Sequence, residues 1–339
     1  MNLAQAERKR FLIDYFLLTI DNCISAMNVN DGYIAYIVNP QAGASSGKRM
    51  VAEFKKYLTD KGFEVRTSFT SSLDHACELV TKAAVDYDCA MVVAAGGDGT
   101  ARESAHGLEG SDKPLMLIPC GTENLLANEL GYDERAKTLI KAFEGDCIRA
   151  LDLGSVNGRC FTSVAGFGFD GDVVKRVNDN RRGHLSHLDY FWPLWRTFWA
   201  HKFPTIKVAI DGEDIFDGRG LVFVGNISRY AIGLQILHYS NFSDGLLDVC
   251  IYKCTSRPHL LKHAGMTVLK LHADRPDVIY RQGKTIRVSS SERVNTEIDG
   301  DPGPALPIKI EVIPQAVKVL VPPKAKPAGI RTRLIRMIG

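Results

Sequence analysis

The chain has 339 residues, of which 45% are apolar and 24% charged, and its 42 basic and 39 acidic side chains leave a net charge of +3. That length exceeds one ordinary hydrophobic core and argues for about two domains. The near balance of charge, with no long Lys/Arg run, excludes a general electrostatic case for nucleic acid as a partner.

Residues 1–30 read as a helical extension. The apolar stretch at 11–20 carries Asp14, has no small-residue cleavage site after it and is too short to span a bilayer. An amphipathic helix packed on the body is expected. The eight cysteines, Cys23, Cys77, Cys89, Cys120, Cys147, Cys160, Cys250 and Cys254, show no C-x-x-C pair. They are expected to be buried, reduced thiols of a cytoplasmic protein.

Residues 31–150 alternate between strand and helix patterns. YIAYIV (33–38) is a continuous apolar run, as a buried parallel strand requires. A helix follows over 46–62, with Met50, Val51, Phe54 and Leu58 on one face. Strand 63–69 and helix 73–85 come next, the latter with Ser71 or Ser72 as its cap. Two further buried strands, CAMVVAA (89–95) and PLMLIP (114–119), precede two more helical stretches. This order argues a parallel sheet covered on both faces.

From 151 to 322 the pattern is mostly short strands with turns between them. Asn157-Gly158 and Asp211-Gly212 are hairpin signals. IKIEVI and VKVLVP read as two separate strands near the end. The whole suggests a β-sandwich, interrupted by helical segments at 187–203 and 257–273. The first holds all three tryptophans, and core packing against the β domain is expected for it. The rival expectation is a wall of a lipid cleft or an interfacial surface. The tail, 323–339, is basic and expected to be exposed.

Three glycine-bearing loops fall at strand ends of the first domain: VNPQAGASSGK (38–48), AAGGDGTARES (94–104) and IPCGTENLLANEL (118–130). Ligands bind at that edge of an open α/β sheet. Glycines let successive N–H groups converge on an anion, and a following helix adds its dipole. The first loop lacks the Ser/Thr after Lys48 that a Walker A loop needs. Asp98 suits such a site when Mg²⁺ intervenes or when a hydroxyl must be oriented. One such loop is a turn as readily as a site; three at one edge point to phosphate.

Asn39-Pro40 with Ala42-Gly43, then Gly96-Gly97-Asp98-Gly99-Thr100, then Pro119 to Asn124, occur in the order of the diacylglycerol kinase catalytic-domain family. VAGFGFDGDVV (164–174), SDGLLDV (243–249) and EIDGD (297–301) extend the match. The chain resembles that family over roughly residues 33–320. The resemblance implies a Rossmann-like, three-layer α/β domain of the phosphofructokinase/NAD kinase type. It also implies a C-terminal β-sandwich domain, with the active site in the cleft between the two. It further implies ATP and Mg²⁺ as cofactors and a lipid hydroxyl as acceptor at a membrane surface; a homodimer stays open. A kinase of a soluble acceptor and a nucleotide-binding regulator without turnover are the rival readings.

Carried over by motif, Asn39, Pro40, Gln41, Ala42, Gly43, Thr70, Gly96, Gly97, Asp98, Gly99, Thr100, Gly121, Thr122 and Asn124 would lie along the nucleotide. The family's D-G-E loop would supply the base. This chain has Asp299-Gly300-Asp301, so Asp299 and Asp301 both stand as candidates beside Asp98. A structural Mg²⁺ would be held by Asn241, Asp244 and the carbonyl of Leu246. Where the family commonly carries a small pair containing Asn before Glu, this chain has Ala101-Arg102-Glu103. Arg102 is expected to be a solvated helix residue, with bidentate reach to a phosphate as the alternative.

Overall fold

The computed structural model describes residues 32–42, 45–179 and 187–323. The expected extension at 1–30, Gly43 and the tail from 324 onward lie outside the described residues.

Four parallel strands, β1 (Tyr33–Val38), β2 (Glu64–Phe69), β3 (Cys89–Gly96) and β4 (Leu115–Pro119), lie in the order β2-β1-β3-β4. β1 and β4 are buried at every residue and β3 at all but one, which is why their sequences are unbroken apolar runs. β2 is the sheet edge and stays partly exposed throughout. The helices of this domain are α1 (Ser45–Asp60), α2 (Leu73–Val85), α3 (Asp98–Gly107), α4 (Leu125–Glu129) and α5 (Ala136–Gly145). α1 buries Met50, Phe54 and Leu58, each one turn from the next. Each such side chain contributes about 1.5–3 kcal/mol through burial. Ser72 caps α2, its Oγ accepting the His75 N–H at 3.0 Å. The first glycine loop is shorter than the sequence suggested, because Ser45, Ser46 and Gly47 already belong to α1.

The second domain is built from β5 (Cys147–Val156), β6 (Arg159–Phe161), β7 (Val164–Phe167), α6 (Phe169–Asp179), α7 (His187–Ala200), β8 (Thr205–Ile210) and β9 (Glu213–Gly225). Then come β10 (Leu247–Lys253), α8 (Arg257–Val268), β11 (Val278–Gly283), β12 (Thr285–Ser289), β13 (Thr296–Ile298), β14 (Asp301–Pro302) and β15 (Ile308–Val321). β9 pairs with β8 through its first half and with β7 and β10 through its second, so it serves both sheets of the sandwich. An apolar core that includes Phe161, Phe167, Ile206, Val222 and Ile286 fills the space between them. Both hairpins form as expected, with φ of 50° and 85° at Asn157-Gly158 and 50° and 91° at Asp211-Gly212.

IKIEVI and VKVLVP are one strand, not two. β15 runs 14 residues and pairs antiparallel with β5 on both sides of an irregularity between Ile313 and Val317. Gln315 takes φ 52° there, and its N–H donates to Asp152 Oδ1 at 2.6 Å. The bulge absorbs Pro314 without ending the strand. Beyond it, β15 lies parallel to β4 at Val319, which joins the second domain to the first sheet.

Two expectations about side chains are corrected. Cys147 is disulfide-bonded, whereas Cys77, Cys89, Cys120, Cys160, Cys250 and Cys254 are free thiols. The tryptophans of α7 are not core: Trp192, Trp195 and Trp199 are 56%, 50% and 54% exposed. Among the described residues no helix is long and apolar enough to cross a membrane.

Candidate active site

The three loops converge at the carboxyl edge of β1, β3 and β4. Asn39 follows β1; its N–H donates to Ala95 O at 2.9 Å, and its Oδ1 accepts from Gln41 N at 3.0 Å. Its Nδ2 donates to Thr100 Oγ1 at 3.3 Å, which ties the first loop to the second. Thr70, buried at the end of β2, donates its N–H to Val38 O at 2.9 Å. Glycine is required at 96, where a Cβ would come within 2.3 Å of Thr100 Oγ1. It is required at 121 as well, where a Cβ would come within 2.6 Å of the Gly97 Cα. Gly121 and Asn124 bond to each other: the Gly121 N–H donates to Asn124 Oδ1 at 2.7 Å, and Asn124 Nδ2 donates to Gly121 O at 2.9 Å. That closed ring leaves Thr122 exposed at the tip of the third loop.

Asp98 is the first residue of α3 and faces the N-terminus of α4. Burial, then the charge of Asp299, push its carboxyl from 3.8 to about 6 against the pull of the Leu125, Leu126 and Asn124 N–H groups. Its Oδ1 is buried and has no hydrogen-bond partner among the described residues. A buried carboxylate oxygen left open in this way suits a cation or a hydroxyl donor.

The D-G-D loop is a two-residue hairpin between β13 and β14, with Asp299 at φ 49° and Gly300 at φ 80°. Asp299 points back into the protein. It accepts from Thr162 N at 2.9 Å, Thr162 Oγ1 at 3.2 Å, Ser163 N at 2.8 Å and Val164 N at 3.2 Å. Burial nonetheless raises its pKa, partly offset by those N–H groups and by Arg102. Asp301 points the other way and is 47% exposed.

Arg102 is not solvated. Its side chain is 3% exposed, with Nε on Glu103 Oε1 and Nη1 on Asp301 Oδ2, both at 3.0 Å. Burial opposes its charge, and the carboxylates of Asp299, Asp301 and Glu103 outweigh it. Arg102 therefore joins α3 of the first domain to the acidic hairpin of the second.

Two acids that sequence reasoning passed over sit beneath this hairpin. Pairing of β13 with β7 sets Glu297 opposite Gly166, and Asp170 lies beside it at the start of α6. A Cβ at Gly166 would approach Asp170 Oδ2 to 2.3 Å and Glu297 Oε1 to 2.9 Å, which explains the glycine in VAGFGFD. Burial, followed by the charge of Asp170, raises Glu297 well above the carboxylate range. Burial raises Asp170 too, while Tyr230 Oη donates to it. Like charges this close hold a proton between them. Glu297 Oε2 accepts the Gly300 N–H at 2.9 Å, so the pair props the turn. The signal was present in the quoted motifs, as one acid in VAGFGFDGDVV and one in EIDGD, but only the pairing of β13 with β7 brings them together.

At the 241–246 loop, Asn241 Oδ1 accepts from Ser243 N at 3.3 Å, and Asp244 Oδ1 accepts from Leu246 N at 3.1 Å. Surrounding protein, together with the Asp152 carboxylate, pushes Asp244 up to about 6. Buried Asp248, next along on β10, is pushed up to about 7. The oxygen-rich loop and its excess of carboxylates fit a hard cation.

Comparison with known proteins agrees with this architecture. Residues 34–156 match the diacylglycerol kinase catalytic domain, and residues 163–321 match the YegS C-terminal NAD kinase beta sandwich-like domain. The chain is 27% identical over 293 residues to the diacylglycerol kinase of Bacillus subtilis, covering 84% of this chain and 95% of that protein. It is 26% identical over 289 residues to the lipid kinase YegS of Escherichia coli, covering 83% and 94%. A solved diacylglycerol kinase structure from Bacillus anthracis shares the fold, with a TM-score of 0.66 at 21% identity over 86% of this chain and 97% of that one. The ordered glycine loops, the sandwich and the acidic hairpin at their junction thus have one common source: the chain belongs to the diacylglycerol kinase family of lipid kinases.

Proposed function

We propose that the protein is an ATP- and Mg²⁺-dependent kinase that transfers the γ-phosphoryl group to a hydroxyl of diacylglycerol or a related lipid. The observation that carries this reading is the approach of Asp98 to Asp299 of the Asp299-Gly300-Asp301 hairpin, from opposite domains, with buried Arg102 tying α3 to the same hairpin through Asp301.

In this reading Asn39 to Ala42, Thr70, Gly96 to Thr100 and Thr122 line the nucleotide. Gly121 and Asn124 hold the third loop in shape through their mutual bonds. Asp98 would hold Mg²⁺ through its open Oδ1, and that ion would neutralise charge on the phosphate oxygens. Asp301 takes the proton of the lipid hydroxyl as its oxygen attacks the γ-phosphorus and the bond to ADP breaks. Asp299 is saturated by four hydrogen bonds, so its part is to fix the hairpin rather than to accept that proton. Asn241, Asp244 and Leu246 would hold a second, structural Mg²⁺.

The exposed tryptophans of α7 favour a lipid acceptor over a soluble one. Trp192, Trp195 and Trp199 offer the amphipathic rings that settle at a membrane interface, with Arg196 and Arg257 beside Trp192 and Trp199 to meet anionic headgroups.

The test is transfer from labelled ATP with Mg²⁺ to mixed micelles of diacylglycerol, monoacylglycerol, sphingosine, ceramide or phosphatidylglycerol. Asp98→Ala and Asp301→Ala run in parallel. A labelled lipid made by the wild type and lost in both variants supports the reading. ATP binding with no labelled lipid sinks it.

A further inference from the structure

An open cleft of about 620 Å³ lies beside the kinase site, lined by residues that include Cys77, Glu78, Glu103, His106 and Cys160. It meets that site through Glu103, which bonds Arg102. His106 and Cys160 of its wall, together with nearby Glu109, bring three different donor atoms close to one another. Cys160 Sγ donates to Glu109 Oε2 at 3.1 Å. His106 Nδ1 lies 3.6 Å from the same oxygen and makes no hydrogen bond, although it is a buried polar atom. All three ligand atoms lie within 4.8 Å of one another. A thiol–carboxylate hydrogen bond accounts for the sulfur and the oxygen; it leaves the imidazole nitrogen 3.6 Å from that oxygen with no hydrogen bond of its own.

We propose that Cys160, His106 and Glu109 form a binding site for a borderline-soft divalent cation of the zinc class, with its fourth position open to the cleft. One thiol, one imidazole and one carboxylate is a donor set that zinc takes at tetrahedral sites with an open position. Sulfur and nitrogen donors select against Mg²⁺, so the ion of the kinase reaction does not compete here. On binding, the Cys160 S–H bond breaks, a sulfur–metal bond forms and the proton leaves to solvent.

The placement gives the site a consequence. His106 is near the end of α3, the helix that begins at Asp98, and Glu109 follows it. Cys160 lies on β6 of the second domain, two residues before Thr162, whose N–H and hydroxyl hold Asp299. A bound ion ties the two domains together beside the catalytic hairpin. This inference does not depend on the identity of the acceptor.

The test uses the full chain with Co²⁺ as an optical probe and Zn²⁺ as competitor. Wild type is expected to show a thiolate-to-cobalt charge-transfer band that Zn²⁺ abolishes and Mg²⁺ leaves intact. Cys160→Ser removes the band; Cys77→Ser, which alters a thiol of the same cleft outside the triad, keeps it. His106→Ala weakens Zn²⁺ by more than the roughly 10–100-fold that loss of an outer-shell partner costs. Absence of the band in wild type, or unchanged Zn²⁺ affinity in Cys160→Ser, overturns the proposal. Should Cys160→Ser lose its circular dichroism, Glu109→Gln takes its place: weaker Zn²⁺ binding supports the site, and equal binding overturns it.

Discussion

Arg102 Nη1 stands 3.0 Å from Asp301 Oδ2, although 199 positions separate the two residues. The resemblance led to a small Asn-containing pair and a Glu at these places. The chain instead combines a longer cation with a shorter acid, and the two changes meet. A double-mutant cycle with Arg102→Ala and Asp301→Ala, read by chemical denaturation, is expected to give a coupling of about 0.5–3 kcal/mol. Arg102→Lys should not restore it, because the Nε contact to Glu103 and the Nη1 contact to Asp301 need a planar fork. Additive effects would show the pair to be incidental.

Asp299 and Asp301 should separate in opposite ways. Asp301→Asn is expected to lower kcat by about 10²–10⁴-fold, as for a general base, with a loss of stability no larger than its coupling to Arg102, since the amide oxygen can still accept from Nη1. Asp299→Asn disturbs the carboxylate that accepts the Thr162, Ser163 and Val164 N–H groups, and should cost about 1–3 kcal/mol. Turnover lost in Asp299→Asn at full stability would transfer the base role to Asp299.

Asp98 predicts a pH signature. Its folded pKa lies at about 6, above the ordinary 3.8, so the folded state binds this proton more tightly than the unfolded one. Stability therefore falls as pH rises between those values, by about 3 kcal/mol in all, and the cost is complete above them. Asp98→Asn should be more stable than wild type at neutral pH, lose that advantage below pH 3.8, and be inactive. The apparent affinity for Mg²⁺ should decline as pH drops through about 6, where Asp98 of the metal-free protein gains its proton. Melting curves and Mg²⁺ titrations across pH 3–8 check both halves.

Replacing Trp192, Trp195 and Trp199 together by alanine removes apolar surface that is already half exposed. Unfolding should change little, within about 0.5 kcal/mol for each exposed site. Sedimentation with anionic vesicles should fall sharply, and KM for lipid presented in vesicles should rise while kcat holds. Undiminished vesicle binding would return α7 to a purely structural role.

The parallel sheet was legible because β1, β3 and β4 are buried on both faces and so write themselves as apolar runs. The hairpins at Asn157-Gly158 and Asp211-Gly212 were legible because their left-handed turns restrict residue choice. IKIEVI and VKVLVP read as two strands because the sequence shows the break between Ile313 and Val317 and not the bulge that bridges it. The α7 tryptophans misled for another reason: helical spacing defines a face, but what covers that face is a tertiary fact. The contacts of Arg102 with Asp301, and of Asp170 with Glu297, were out of reach for the same cause, since strand pairing and domain apposition create them.

The β5–β15 ribbon runs through both domains, paired from Val156 opposite Ile310 to Cys147 opposite Val321, and touches β4 at Val319. The parallel sheet of the first domain thereby continues into one sheet of the sandwich. Melting one strips hydrogen bonds from the other, so the two halves should unfold as a single cooperative unit, with calorimetric and van't Hoff enthalpies in agreement. Hydrogen exchange should find its slowest amides along this ribbon, opening only in the global transition.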